Sequence, residues 1–86
     1  MVDKTIRLGD ISYSPDADKM LNRADVKGAL SRHQQGEWGE IGVFQRLENE
    51  RNIRSGKGWI QSDFRDRNGT YFLFTTKNCT TVTLER

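Results

Sequence analysis

Proline, cysteine and histidine each occur once in the 86 residues, as Pro15, Cys79 and His33. A single cysteine excludes an internal disulfide framework and a multi-cysteine zinc site, and it fits a reducing, cytoplasmic setting. No apolar run approaches the ~18 residues that span a bilayer, so no membrane association is expected. The opening Met1-Val2-Asp3-Lys4-Thr5 lacks the charged-then-apolar profile of a signal peptide. An excess of one charge is missing too. Fourteen basic residues against twelve acidic leave +2, which is not the balance of a typical nucleic acid binder, although it leaves room for a local basic patch.

No linker, repeat or low-complexity segment divides the chain, so residues 1–86 read as a single small domain. A chain this short buries only about 60% of its unfolded surface. Its core must be compact, and dimerisation would help it. Hydrophobic residues make up 34% and charged residues 30%; that is polar, yet the apolar residues recur at regular spacings, which a disordered chain lacks.

Those spacings predict an α+β domain: an N-terminal strand, two to three short helices, then a three-stranded antiparallel meander with the helices packed on one face. Thr5 to Tyr13 alternates in part and is interrupted at Gly9-Asp10, which predicts a strand bent at Gly9. Ser14-Pro15 opens a short helix, with Ser14 as N-cap and Pro15 where its missing N–H is harmless. A second helix is capped by Asn22 and stapled by Leu21 and Val26. Val26, Ala29, Leu30 and His33 form its buried face, and Gly36 is its stop. A third helix is expected from about Glu40 to Ile53, burying Ile41, Phe44, Leu47 and Arg51, and ended by Ser55-Gly56-Lys57-Gly58. Strands follow at Trp59 to Arg65, Tyr71 to Thr76 and Thr80 to Glu85. Asn68-Gly69 marks the first hairpin, since both residues tolerate positive φ.

These elements carry a further pattern. It runs Leu8-Gly9, Ser14-Pro15, His33-x-x-Gly36-Glu37-Trp38-Gly39-Glu40, Asn49-Glu50, Trp59-Ile60 with Ser62, Asn68-Gly69, then Thr75-Thr76 and Thr80-Thr81-Val82-Thr83-Leu84. From about Leu8 to Leu84 the chain resembles a family of small bacterial proteins of unassigned function carried on plasmids, integrative elements and phages. Many are labelled "type I restriction endonuclease subunit M" or "plasmid-related protein". The His-x-x-Gly-acid-Trp-Gly segment is the most specific part. The chain departs from the family in having Glu37 and Glu40 around Trp38-Gly39, Phe74-Thr75-Thr76 where relatives read Ile-Thr-Glu, and no acidic tail. It is also more basic between Arg46 and Arg67. The restriction label fails on physical grounds. A DNA methyltransferase needs a doubly wound sheet with a glycine-rich turn, and neither G-x-G-x-x-G nor an Asn/Asp-Pro-Pro motif is present.

The resemblance implies an accessory protein of a mobile genetic element, acting by protein–protein contacts on a host defence or regulatory complex. The residues offer no recognisable catalytic set, so no enzyme activity, cofactor or metal is expected. His33 lies on an apolar stripe and reads as a structural histidine bonded to a neighbouring loop; an acid–base role would have to recruit Glu37 or Glu40. Cys79 in a turn reads as incidental. Trp38 between two glycines either packs between helices and sheet or anchors a partner. Trp59 is balanced between core and surface. Arg46, Arg51, Arg54, Lys57, Arg65 and Arg67, followed by Tyr71, suggest an alternative: a nucleic acid-binding module built on the basic stretch 46–67 with an aromatic strand. Glu48, Glu50, Asp63 and Asp66 lie among them and weaken that field. The candidate binding residues are therefore Trp38, Arg46, Arg51, Arg54, Lys57, Trp59, Arg65, Arg67 and Tyr71. Tyr71-Phe72-Leu73-Phe74 is apolar on both faces, which predicts a second cover for the sheet and, as the simplest one, a homodimer.

Overall fold

The computed structural model describes residues 6–85; Thr5, the start of the expected first strand, and the opening segment read for a signal peptide lie outside them. The elements in chain order are β1 (Ile11–Tyr13), α1 (Pro15–Met20), α2 (Arg23–Gln34), α3 (Val43–Ser55), β2 (Ile60–Arg65), β3 (Tyr71–Thr76) and β4 (Thr80–Leu84). The fold is α+β. The expected meander β2-β3-β4 is present, but it is only part of the sheet. β1 adds to β4 in parallel, giving a four-stranded mixed sheet in the order β1-β4-β3-β2. Among the described residues no helix is long and apolar enough to cross a membrane.

The strand alternation sorts side chains cleanly. Ile60, Ser62, Phe64, Phe72, Phe74, Thr76, Thr80 and Val82 point inward and are buried. Of these, Phe64, Phe72, Phe74 and Val82 meet Ala17 and Leu21 of the α1 region and Val26, Ala29 and Leu30 of α2 in one cluster. Phe64, Phe72 and Phe74 pack with ring centroids 5.3–6.2 Å apart. The first two helices form because their ends are specified. Ser14 Oγ accepts from the Ala17 N–H at 3.2 Å, and Asn22 Oδ1 from the Asp25 N–H at 3.1 Å. Leu21 and Val26, flanking the second cap, are both buried as a staple requires. The end of α2 is a Schellman turn: the Glu37 N–H reaches the Arg32 carbonyl at 2.9 Å and the Gly36 N–H that of His33 at 3.2 Å.

β1 is shorter than expected because the chain must bend at Gly9. That residue has φ +64°, and a Cβ there would lie 2.2 Å from the Asn78 carbonyl oxygen. The close approach lets the Leu8 carbonyl accept from Thr80 Oγ1 at 2.8 Å. The first hairpin also differs in detail. Its loop is three residues, closed by Asp66, whose Oδ1 accepts the N–H groups of Asn68 and Thr70 at 2.9 and 3.0 Å. Gly69 takes the positive φ and no non-glycine residue among those described does, so Asn68 is not used as the two-residue turn would use it.

The largest correction concerns α3. It starts at Val43, with Gly42 as its extended N-cap, rather than at Glu40: Gly39 and Glu40 are drawn onto β2, Gly39 bridging Asp63 and the Glu40 N–H donating to the Asp63 carbonyl at 2.7 Å. It does not lie on the sheet face with the other helices but runs along the edge of β2. Its fully buried residue is Asn49, while Phe44, Leu47 and Arg51 of the expected buried stripe are exposed and Ile41 is half-buried.

Candidate functional site

The outward backbone groups of β2 are paired one after another by side chains and a loop. Asn49 Nδ2 donates to the Gln61 carbonyl at 2.7 Å, and the Gln61 N–H donates to Asn49 Oδ1 at 3.1 Å. A carboxamide carries one donor side and one acceptor, so here it stands in for a neighbouring strand. One turn on, Asn52 Nδ2 donates to the Trp59 carbonyl at 2.8 Å. At the other end the Asp63 N–H donates to the Trp38 carbonyl at 3.1 Å. Gly39 permits that crossing, since a Cβ would meet the Asp63 carbonyl oxygen at 2.1 Å. Polar bonds thus hold α3 and close an edge that would otherwise be open to pairing.

Because α3 is held through Asn49, its opposite side faces outward. Phe44, Leu47, Arg51 and Arg54 follow at spacings of three, four and three, which puts them on a single stripe at 3.6 residues per turn. Phe44 is 85% exposed, Leu47 53% and neighbouring Val43 61%. Arg51 and Arg54 are exposed as well. The stripe is apolar in its first half and basic in its second. Glu48, one turn after Phe44, pairs with Arg51 at 3.5 Å across the exposed flank. On the same flank Gln45, Glu48 and Asn52 form one wall of an open groove that continues over Trp59, Gln61 and Thr75. Trp59 is 52% exposed, with Lys77 Nζ 5.6 Å from its ring centre.

The other sequence candidates are dispersed around this surface. Trp38 is 5% exposed, so its ring belongs to the interior and is not a surface anchor; its indole N–H is buried without an acceptor among the described residues. Arg46 lines a polar hollow on the far flank of α3, with Arg32, Glu37 and Glu50. Lys57 is exposed in the turn after α3. Arg65 lies over the Tyr71 ring at 5.6 Å. Arg67 grips Asp25 through Nε and Nη2 at 3.0 and 2.9 Å, with its own N–H on the same carboxylate at 2.9 Å. Those bonds hold the Asp25 carboxyl below its usual range. Val43 and Asn52 were not singled out by the sequence pattern, Asn49 entered it only as part of the family resemblance and without a role, and Phe44 and Leu47 were assigned to the core.

His33 is buried at the head of a polar chain between α2 and the sheet. Its Nδ1 is 2.6 Å from Ser62 Oγ and its Nε2 2.9 Å from Thr76 Oγ1. Thr76 Oγ1 is 2.8 Å from Thr80 Oγ1, which donates to the Leu8 carbonyl. That last bond sets the directions back to the ring's Nε2. Thr80 spends its proton on Leu8, so it accepts from Thr76; Thr76 then accepts from Nε2–H, and in the neutral ring Nδ1 accepts from Ser62. The ring is neutral with its proton on Nε2, and burial pushes its pKa down to about 4. The partners are strand side chains rather than the expected loop. Ser62 and His33 are both fully buried, so this serine–histidine pair ties α2 to the sheet.

On the outer face Asp63 and Glu85 approach one another, beside Glu40 and Tyr71. Desolvation first, then the hydrogen bond and charge of Glu85 and the charge of Glu40, push the Asp63 carboxyl up to about 6. Among the described residues no group of three or more His, Cys, Asp or Glu side chains is arranged to hold a metal ion. The rest of that face is mostly polar: Gln61, Thr75, Thr81 and Thr83 alternate with Leu73 and Tyr71, and the largest apolar exposure lies on α3. Comparison of the chain with models of known protein families, with curated proteins and with solved structures finds no match.

Proposed function

We propose that this chain is a small, non-enzymatic protein-binding domain that presents the outward side of α3 to another protein. The observation that carries the reading is the exposure of Phe44, Val43 and Leu47 on a helix fixed to the scaffold by Asn49 and Asn52. Aromatic and aliphatic side chains raised on a rigid helix are what a partner's pocket takes up as anchors. Trp59 on the adjoining groove extends the same surface. The resemblance to mobile-element proteins supplies the setting: an accessory protein that modulates a host defence or regulatory complex.

A second reading has its own support. Lys77 over Trp59 and Arg65 over Tyr71 are basic–aromatic pairs of the kind that stack single-stranded bases. The two readings part under mutation. Affinity capture should lose its partner with Phe44→Asp/Leu47→Asp and keep it with Arg65→Ala/Lys77→Ala. Fluorescence anisotropy with labelled single- and double-stranded DNA and RNA should show no binding at low salt. Binding that weakens steeply with salt and is lost in Arg65→Ala/Lys77→Ala would replace the first reading by the second.

A further inference from the structure

Resting on the α3 reading, we infer that the partner surface is acidic as well as apolar: a groove that takes Phe44 and Leu47 into apolar pockets and meets Arg51 and Arg54 with carboxylates. The argument is the chemistry of the stripe. Phe44, Leu47, Arg51 and Arg54 occupy one face of α3 within about 80°, and Glu48 and Glu50 border that face on its two flanks, each about 40° from its nearest member. From Val43 to Lys57 the chain has four basic residues, Arg46, Arg51, Arg54 and Lys57, against Glu48 and Glu50. The Arg51–Glu48 contact, at 3.5 Å between side chains 70% and 50% exposed, is weak enough to yield to a better-placed carboxylate.

A second copy of the chain fits less well. Its stripe carries two arginines and is bordered by only two carboxylates, one of them already on Arg51, so a parallel pairing sets arginine on arginine, and an antiparallel one leaves arginines over apolar side chains. Three apolar side chains are also fewer than the ~800 Å² per partner of a standard interface demands. A helix-in-groove contact, narrow and anchored at spacings of three and four, matches what is there.

The test is selection of a displayed random peptide library on the folded chain, with circular dichroism confirming that the exposed-site variants remain folded. Enriched peptides are expected to combine Phe, Leu or Trp with Asp and Glu. They should weaken roughly tenfold or more on Arg51→Glu/Arg54→Glu and lose affinity as salt rises. Peptides without an acidic bias, or indifferent to that charge reversal, would overturn the acidic partner while leaving α3 as the binding face. Binders indifferent to Phe44→Ala, or no binder at all, would remove the parent reading with it. Self-association in sedimentation that Phe44→Ala abolishes would put a second copy in the partner's place.

Discussion

α2 and α3 are nearly equal in length, twelve and thirteen residues, and both carry apolar residues at helical spacing, yet they are attached to the sheet by different physics. α2 buries Val26, Ala29 and Leu30 against three phenylalanines and sends His33 into a polar chain between layers. α3 gives the sheet two asparagine amides and turns its phenylalanine and leucine to solvent. One helix is held by removal of apolar surface from water, the other by hydrogen bonds to a strand edge. The second arrangement leaves an apolar face unspent, and that is the ground for reading it as a docking surface.

Core and surface substitutions should separate the two helices most sharply. Leu30→Ala is expected to cost about 2–5 kcal/mol, whereas Phe44→Ala should stay within about 0.5 kcal/mol, both read from urea denaturation. Equal losses would mean that Phe44 is packed in solution.

Asn49→Ala comes next. It leaves the N–H and carbonyl of Gln61 without partners, at about 1–3 kcal/mol for a buried group. Hydrogen exchange at the Gln61 amide should quicken while that at Phe74 in the sheet interior changes less. Uniform quickening would show that α3 and the sheet open together.

A pH series contrasts the two faces of the sheet. His33 has its folded pKa depressed from 6.5 to about 4, so its contribution is present above 6.5 and is lost as the pH falls towards 4. Asp63 has its folded pKa raised from 3.8 to about 6, so its contribution is present below 3.8 and is lost as the pH rises through 6. Between 4 and 6 the two slopes oppose one another. Asp63→Asn should therefore make stability climb more steeply with pH in that window, and should raise it at pH 7, by urea midpoints. An unchanged profile would contradict the raised Asp63 pKa, and with it the desolvation and the Glu85 contact that raise it.

The smallest effect is expected at Trp38. Trp38→Phe keeps most of the buried ring and removes an N–H that has no acceptor among the described residues. Stability should be unchanged or higher by about 1 kcal/mol. A loss of several would point to an unseen acceptor.

The parts of this comparison that could be read from sequence are those with local grammar. Ser14-Pro15, Asn22 with its staple, and Gly36 each specify a helix end from their immediate neighbours, and strands β3 and β4 announce themselves by aromatic and β-branched residues. The parallel addition of β1 was hidden because it joins residues some seventy positions apart and depends on Gly9 clearing the Asn78 carbonyl. α3 was misread for a related reason. Its periodicity marks an apolar stripe, and periodicity cannot tell a stripe that meets the core from one that faces outward. The deciding residue was Asn49, a polar side chain whose partner is the edge of a strand twelve residues away. Of the candidate site residues, Arg51, Arg54 and Trp59 fall on or beside the α3 surface, and Trp38 falls inside.

Site-specific photo-crosslinking in the host cell tests the central claim most directly. A photoreactive phenylalanine at position 44 should give a discrete protein adduct, and the same residue at exposed position 27 of α2 should give none. No adduct from position 44, or the same products from both positions, would contradict the account.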